Sequence, residues 1–263
     1  MEEIGEHATV SLSGRQKPIR ELAAQATYKR YDNPGLLGKL KEGSRQPPSL
    51  PTDFANGVRS MKFTNGADID AVVSLQSRVA TAVFGGLRMA MYEQLNWSKP
   101  EMEQIVRVLP LCPNVTKLCF GQQRIGDEGA GVIVRYIATG ALTRLTELGL
   151  ERTSMGDEAL SLLTSAITEG HLPNLKTLWA WGNACGDQSI SALVRALANH
   201  APHLTGLYIG ESGLANESIK ELMQAISRWD HLKQLHVGWE GLPINDDFRD
   251  LIQACRKRSV HIF

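Results

Sequence analysis

The sequence predicts an α/β solenoid, with a parallel sheet lining one side and helices covering the other, built from one unit repeated along the chain. Two observations predict it. In Leu175-Lys-Thr-Leu178-Trp179-Ala-Trp181-Gly-Asn183 the apolar residues and an Asn fall at the spacing L-x-x-L-x-(apolar)-x-x-N, and Leu145-x-x-Leu148-x-Leu150 and Leu204-x-x-Leu207-x-Ile209 repeat the pattern on either side. The second apolar position then recurs at Met61, Ala90, Leu118, Leu148, Leu178, Leu207 and Leu235, at intervals of 29, 28, 30, 30, 29 and 28 residues. That period holds one strand and one full helix per unit.

Residues 1–57 do not carry the repeat. Pro18 to Tyr28 reads as a helix with proline in its first turn, and Arg45 to Asp53 as an extended proline-rich strap. This segment has too few large apolar residues for a core of its own. It is read as an arm that packs on the first repeat and caps it, with partner docking as the alternative. Residues 58–263 form the repeat domain, about seven repeats plus a terminal strand. Strands are expected near 59–63, 88–92, 116–120, 146–150, 176–180, 205–209 and 233–237.

A helix start follows each strand, as in Ile125-Gly-Asp-Glu-Gly, Met155-Gly-Asp-Glu-Ala, Cys185-Gly-Asp-Gln-Ser and Leu214-Ala-Asn-Glu-Ser. These place acceptors where the first free N–H groups of a helix need them. Inward stripes such as Leu163, Ala166 and Ile167, or Leu193, Ala196 and Leu197, complete each helix. Val260 lies 28 residues after Leu232, so Ser259 to Phe263 reads as an eighth, short strand. Its edge is expected to be covered by another protein or a second copy, giving an assembly contact through the C-terminal strand.

At Ile125-Gly-Asp-Glu-Gly-Ala and Met155-Gly-Asp-Glu-Ala-Leu, and over about residues 58 to 263, the chain resembles the ribonuclease-inhibitor-like class of leucine-rich repeats. The resemblance implies a right-handed α/β horseshoe with a parallel concave sheet and outer helices. It also implies protein binding, since the class includes ribonuclease inhibitors, immune sensor domains, ciliary and cytoskeletal scaffolds and a GTPase activator. One departure is plain: the class Asn appears only as Asn183, with Gln123, Thr153, Ser212 and Glu240 standing in elsewhere. Looser or rewired turns are expected there.

Composition narrows the function. Basic and acidic residues number 28 each, so neither nucleic acid nor an anionic membrane surface is an expected partner. The four cysteines lack C-x-x-C spacing, which argues against a disulfide framework or zinc site. No apolar run approaches the roughly 18 residues of a membrane span, and Met1-Glu-Glu-Ile-Gly-Glu lacks the apolar core of a leader. The reading is cytoplasmic, without membrane insertion.

No phosphate-loop, dinucleotide, zincin or nucleophile-elbow motif occurs, so no enzyme, catalytic residue, metal or cofactor is expected. His171 and His200, and likewise His203 and His231, share repeat positions and are read as turn-filling polar residues. Trp97 and Trp229 are assigned to the core.

Alternation along the strands points other residues out of the sheet. One column runs through Cys119, Gly149, Trp179, Tyr208 and His236, and the next through Glu93, Gly121, Glu151, Trp181, Gly210 and Gly238. The candidate partner site is therefore Trp179, Trp181, Tyr208, His236 and Trp239 on the concave face. Glu151, Glu211 and Lys233 are its expected polar rim, and Gly149, Gly206, Gly210 and Gly238 are expected to clear space for a partner. The function read from this is a non-enzymatic protein-interaction module or scaffold subunit. An enzyme regulator, either inhibitor or GTPase activator, and a small-molecule receptor built around the tryptophans are the alternatives. The tryptophans would instead be core only if the arm or a neighbouring loop folded onto them.

Overall fold

A computed structural model describes residues 9–12, 15–18, 46–61, 67–238 and 245–263. The chain divides into two units, Met1–Arg45 and Gln46–Phe263, where the sequence placed the boundary between 57 and 58. In the first unit β1 (Thr9–Leu12) and β2 (Arg15–Pro18) pair antiparallel. Pro18, expected to open a helix, closes β2 instead; the rest of that expected helix lies outside the described residues.

The second unit begins with two helices, α1 (Pro51–Ser60) and α2 (Ala67–Gly86). The strand expected near 59–63 is therefore wrong: Arg59 and Ser60 end α1, and Met61 is 61% exposed. Local signals outweighed the 29-residue interval. Pro51 sits in the first turn with Asp53, Arg59 is in the last, and buried Ala55 and Val58 are three residues apart on one helix face. Pro47 of the strap is buried, its carbonyl accepts from Gln104 Nε2 at 3.3 Å, and Asp53 pairs with Arg107 at 3.1 Å. These bonds tie residues 46–60 to the first repeat.

From there strands and helices alternate. The strands are β3 (Met89–Met91), β4 (Lys117–Cys119), β5 (Glu147–Gly149), β6 (Thr177–Trp179), β7 (Gly206–Tyr208), β8 (Gln234–His236) and β9 (His261–Ile262). Between them, among the described residues, lie the α-helices α3 (Lys99–Val108), α4 (Gly126–Ile137), α5 (Asp157–Thr168), α6 (Asp187–His200), α7 (Asn216–Ala225) and α8 (Asp246–Lys257). The strands form one parallel sheet in sequence order, in register at Ala90, Leu118, Leu148, Leu178, Leu207, Leu235 and Ile262. Leu118, Leu148, Leu178, Leu207 and Leu235 are fully buried against inward helix residues such as Ile133, Leu163, Leu193 and Leu222. Six of the seven expected strands are present, as is the terminal one. Trp97 and Trp229 are core, at 2% and 3% exposure.

Two hydrogen-bonding ladders lock successive repeats together. Asn183 is buried; its Oδ1 accepts from the N–H groups of Thr153 and Met155, both at 3.1 Å, and its Nδ2 donates to the carbonyls of Leu150 and Ala180, both at 2.8 Å. Where the Asn is replaced, the turns are rewired as expected. Gln123 Nε2 donates to the Tyr92 carbonyl at 2.5 Å, Thr153 Oγ1 donates to the Leu150 carbonyl at 2.9 Å, and Ser212 Oγ donates to the Gly210 carbonyl at 3.3 Å. The turn itself is the same each time: Gln94, Gln122, Arg152, Gly182 and Glu211 all have φ between 49° and 69°. A side chain costs about 1 kcal/mol in that left-handed conformation, and only Gly182 avoids it.

In the second ladder each acid caps the helix of the following repeat. Asp127, in the first turn of α4, accepts from Gly156 and Ala159 at the start of α5 at 2.8 and 3.1 Å. Asp157 accepts from Gly186 at the start of α6 at 2.7 Å. Asp187 accepts from Ala215, Glu217 and Ser218 at the start of α7 at 2.8, 2.9 and 3.0 Å.

Candidate functional site

The column positions of β6 to β9 point away from the helices and bring aromatic rings together on neighbouring strands. Trp179 stacks on Tyr208 with ring centroids 5.8 Å apart, Tyr208 on His236 at 6.2 Å, and Phe263 lies 5.9 Å from His236 and 6.4 Å from Tyr208. Trp181, one column over, meets His236 edge-on at 6.2 Å. Parallel pairing forces this, because Trp179↔Tyr208 and Tyr208↔His236 are register partners one strand spacing apart. The Tyr208 hydroxyl also bonds Gln234 Oε1.

Two cations complete the ladder. Lys117 Nζ sits 4.8 Å from the Trp179 ring centre and 2.9 Å from Glu147; the Arg152 guanidinium sits 4.4 Å from the Trp181 ring centre and 2.9 Å from Glu211. Trp179, Trp181, Tyr208 and His236 are each half-buried. Four of the five aromatic candidates are thus brought together; Trp239 lies outside the described residues. The sequence reading missed Lys117, Arg152 and Phe263. Extending the register two residues before Cys119 and one strand past His236 would have found Lys117 and Phe263, whereas Arg152 reaches Trp181 across Gly182, where a Cβ would come within 2.6 Å of the Arg152 Cγ.

The expected rim is only partly a rim. Glu211 is exposed and paired with Arg152, and Lys233 is exposed with no ion pair among the described residues. Glu151 belongs to the floor. Its carboxylate lies across Gly121, where a Cβ would come within 2.1 Å of Oε1, and its Oε2 is buried with no hydrogen-bond partner. Burial pushes this carboxyl up to about 6; the charge of Glu93 adds to the rise, against the opposing effects of its own backbone N–H and Lys117. His236 Nδ1 is likewise buried without a partner.

The glycines do not clear space for a partner, contrary to expectation. At Gly149 a side chain would meet Cys119 Sγ at 2.9 Å, at Gly206 Thr177 and Tyr208 at 3.1 and 3.2 Å, and at Gly210 the Val237–Gly238 backbone at 2.5 to 2.6 Å. At Gly238 it would meet the Glu211 backbone N at 3.1 Å. Their missing side chains admit the protein's own neighbours.

All four cysteines are free and buried, and burial raises Cys112 and Cys255 to about 11 and Cys119 and Cys185 to about 12. Those thiols stay protonated and unreactive. Among the described residues no group of three or more potential ligands could hold a metal, and no helix is long and apolar enough to cross a membrane. His171 pairs with Glu169 at 3.1 Å.

A parallel sheet of 27- to 30-residue units, each closed by a helix and stitched by side-chain ladders, defines a leucine-rich-repeat α/β solenoid. No protein-family model matches the sequence, and no curated protein is significantly similar to it. Among solved structures it is similar to the tropomodulin C-terminal domain of Caenorhabditis elegans, with a TM-score of 0.41 and 12% identity over 69% of this chain and 89% of that one. It is also similar to an internalin of Listeria monocytogenes, with a TM-score of 0.26 and 12% identity over 80% of this chain and 87% of that one. At these values neither bears on function.

Proposed function

We propose that this chain is a non-enzymatic protein-interaction module or scaffold subunit, and that its partner sits on the aromatic face of the sheet. The observation that carries the reading is the ladder of Trp179, Tyr208, His236 and Phe263 with Trp181 beside it. Rings already stacked on a rigid sheet lose little freedom on binding, and Trp and Tyr dominate interface hot spots at about 2 kcal/mol or more apiece. Helices of 10 to 14 residues in every repeat support placing it in the ribonuclease-inhibitor-like class. We propose further that β9, an edge of the sheet among the described residues, is an assembly contact.

The test is affinity capture from the native cell with the wild-type chain and with Trp181→Ala. A partner retained by the first and lost by the second supports the reading. Equal capture by both refutes it. Adding the chain to the captured partner then separates a scaffold, which leaves the partner's turnover unchanged, from a regulator, which alters it.

A further inference from the structure

The charges on the aromatic face do not cancel. Among the described residues, the strand positions facing away from the helices carry Glu93, Lys117, Glu147 and Glu151. Lys117 is held by Glu147 at 2.9 Å and by the Trp179 ring, and Arg152, just beyond β5, is held by Glu211 and the Trp181 ring. Both of these cations are therefore engaged. Glu93 and Glu151 have no ion pair among the described residues, and Oε2 of Glu151 is buried with no hydrogen-bond partner at all.

The two free carboxylates share one gap. Backbone bonds from Gln94 N–H to the Gly121 carbonyl at 3.2 Å and from Gln122 N–H to the Glu151 carbonyl at 2.8 Å place Glu93, Gly121 and Glu151 abreast on adjacent strands. The side chain of Glu151 leans over Gly121, toward Glu93, into space that any other residue at 121 would fill. Trp181 stands abreast of Glu151 on the far side, since Arg152 N–H bonds the Trp181 carbonyl at 2.9 Å. The acidic gap thus adjoins the aromatic ladder, and one partner surface can cover both.

We propose that the protein bound on this face is cationic at the contact, and sets a lysine or arginine side chain on top of the Glu151 carboxylate, beside Glu93, while its apolar neighbours lie on the ladder. This rests on the aromatic-face reading above. Burial of Oε2 without a donor disfavours the charged form of Glu151, and a cation set against the carboxylate offsets that. A neutral partner would deepen the desolvation of Glu151 without relief, and an acidic one would add repulsion from both carboxylates. Arginine fits best, because its planar fork reaches two acceptors at once.

Selection of phage-displayed dodecapeptides on the immobilised chain tests this. Peptides selected by the wild type are expected to be enriched in Lys and Arg beside aromatic or apolar residues. They should bind the isosteric Glu93→Gln/Glu151→Gln variant at least about tenfold more weakly, with an unchanged circular dichroism spectrum showing that the variant is folded. Peptides that depend on Trp181 but bind this double variant as tightly as the wild type would overturn the cationic partner and leave the aromatic face standing. A selection that yields no peptide sensitive to Trp181→Ala would overturn the aromatic-face reading, and this inference with it.

Discussion

Asp187→Ala should destabilise the fold at the start of a helix it does not belong to. The carboxylate sits in the first turn of α6 yet accepts three backbone N–H groups, from Ala215, Glu217 and Ser218 at the start of α7. Loss of an ordinary helix cap costs about 1 kcal/mol, and bonds to a charged acceptor run to about twice a neutral one. Water replaces part of the loss at exposed Glu217, so the expected cost is about 2 kcal/mol. Asp127 has two such donors, and Asp157 has one together with the Ser189 hydroxyl, which predicts that Asp187→Ala costs the most of the three. Urea denaturation measures the three costs, and hydrogen exchange locates the effect. Amides 215–218 should exchange faster in Asp187→Ala, and amides 188–191 of α6 should not. A cost for Asp187→Ala no greater than the other two, or exchange that quickens only within α6, would refute capping across repeats. Asp157 and Asp187 also set a pH limit. A hydrogen bond from Gly186 holds Asp157 below its usual range; for Asp187, burial pushes upward but bonds from Ser218, Glu217 and Ala215 outweigh it. Carboxyls depressed in the folded state stabilise it above their ordinary value near 3.8 and lose that contribution as pH falls further.

Glu151 has the opposite sign. Its carboxyl, raised from 4.5 to about 6, favours the fold when protonated, a contribution fully present below 4.5 and lost as pH rises through about 6. The stability difference between wild type and Glu151→Gln should therefore shift by about 1 kcal/mol between pH 7.5 and 4.5, after discounting for its partial exposure; a difference flat with pH refutes it. Gly210→Ala should cost about 2 kcal/mol, because its Cβ would meet backbone at 2.5 Å, whereas Gly121→Ala meets only the movable end of Glu151 and should cost under about 1 kcal/mol. Equal costs, measured by urea denaturation, would contradict this. At the β9 edge the N–H groups of His261 and Phe263 bond inward to Lys233 and Leu235, leaving that of Ile262 facing outward. Ile262→Pro should thus block assembly through that edge, at the cost of one side chain packed on the core, and unchanged light scattering of the folded variant would remove the contact.

The repeat was legible because each interval joins residues that pair in the sheet: Leu118, Leu148, Leu178 and Leu207 are both sequence equivalents and register partners. The same rule misled at Met61, where a 29-residue interval was carried onto a segment whose proline, charges and apolar spacing specify a helix. Aromatic clustering on β6, β7 and β8 was legible from alternation alone. The positions of Lys117 and Arg152 over the rings, and of Glu151 over Gly121, were not, because long side chains choose among neighbours one strand away. The glycines show the same limit: sequence reveals a missing side chain, and packing decides what occupies its place.

Hydroxyl-radical footprinting of the free chain and of its complex with the captured partner reads oxidation of aromatic rings residue by residue, and so reports whether the partner sits on the ladder. Strong protection of Trp179, Trp181, Tyr208 and Phe263 is expected in the complex, with the helix faces unchanged. Protection confined to the helices, with the four rings as reactive as in the free chain, would contradict it.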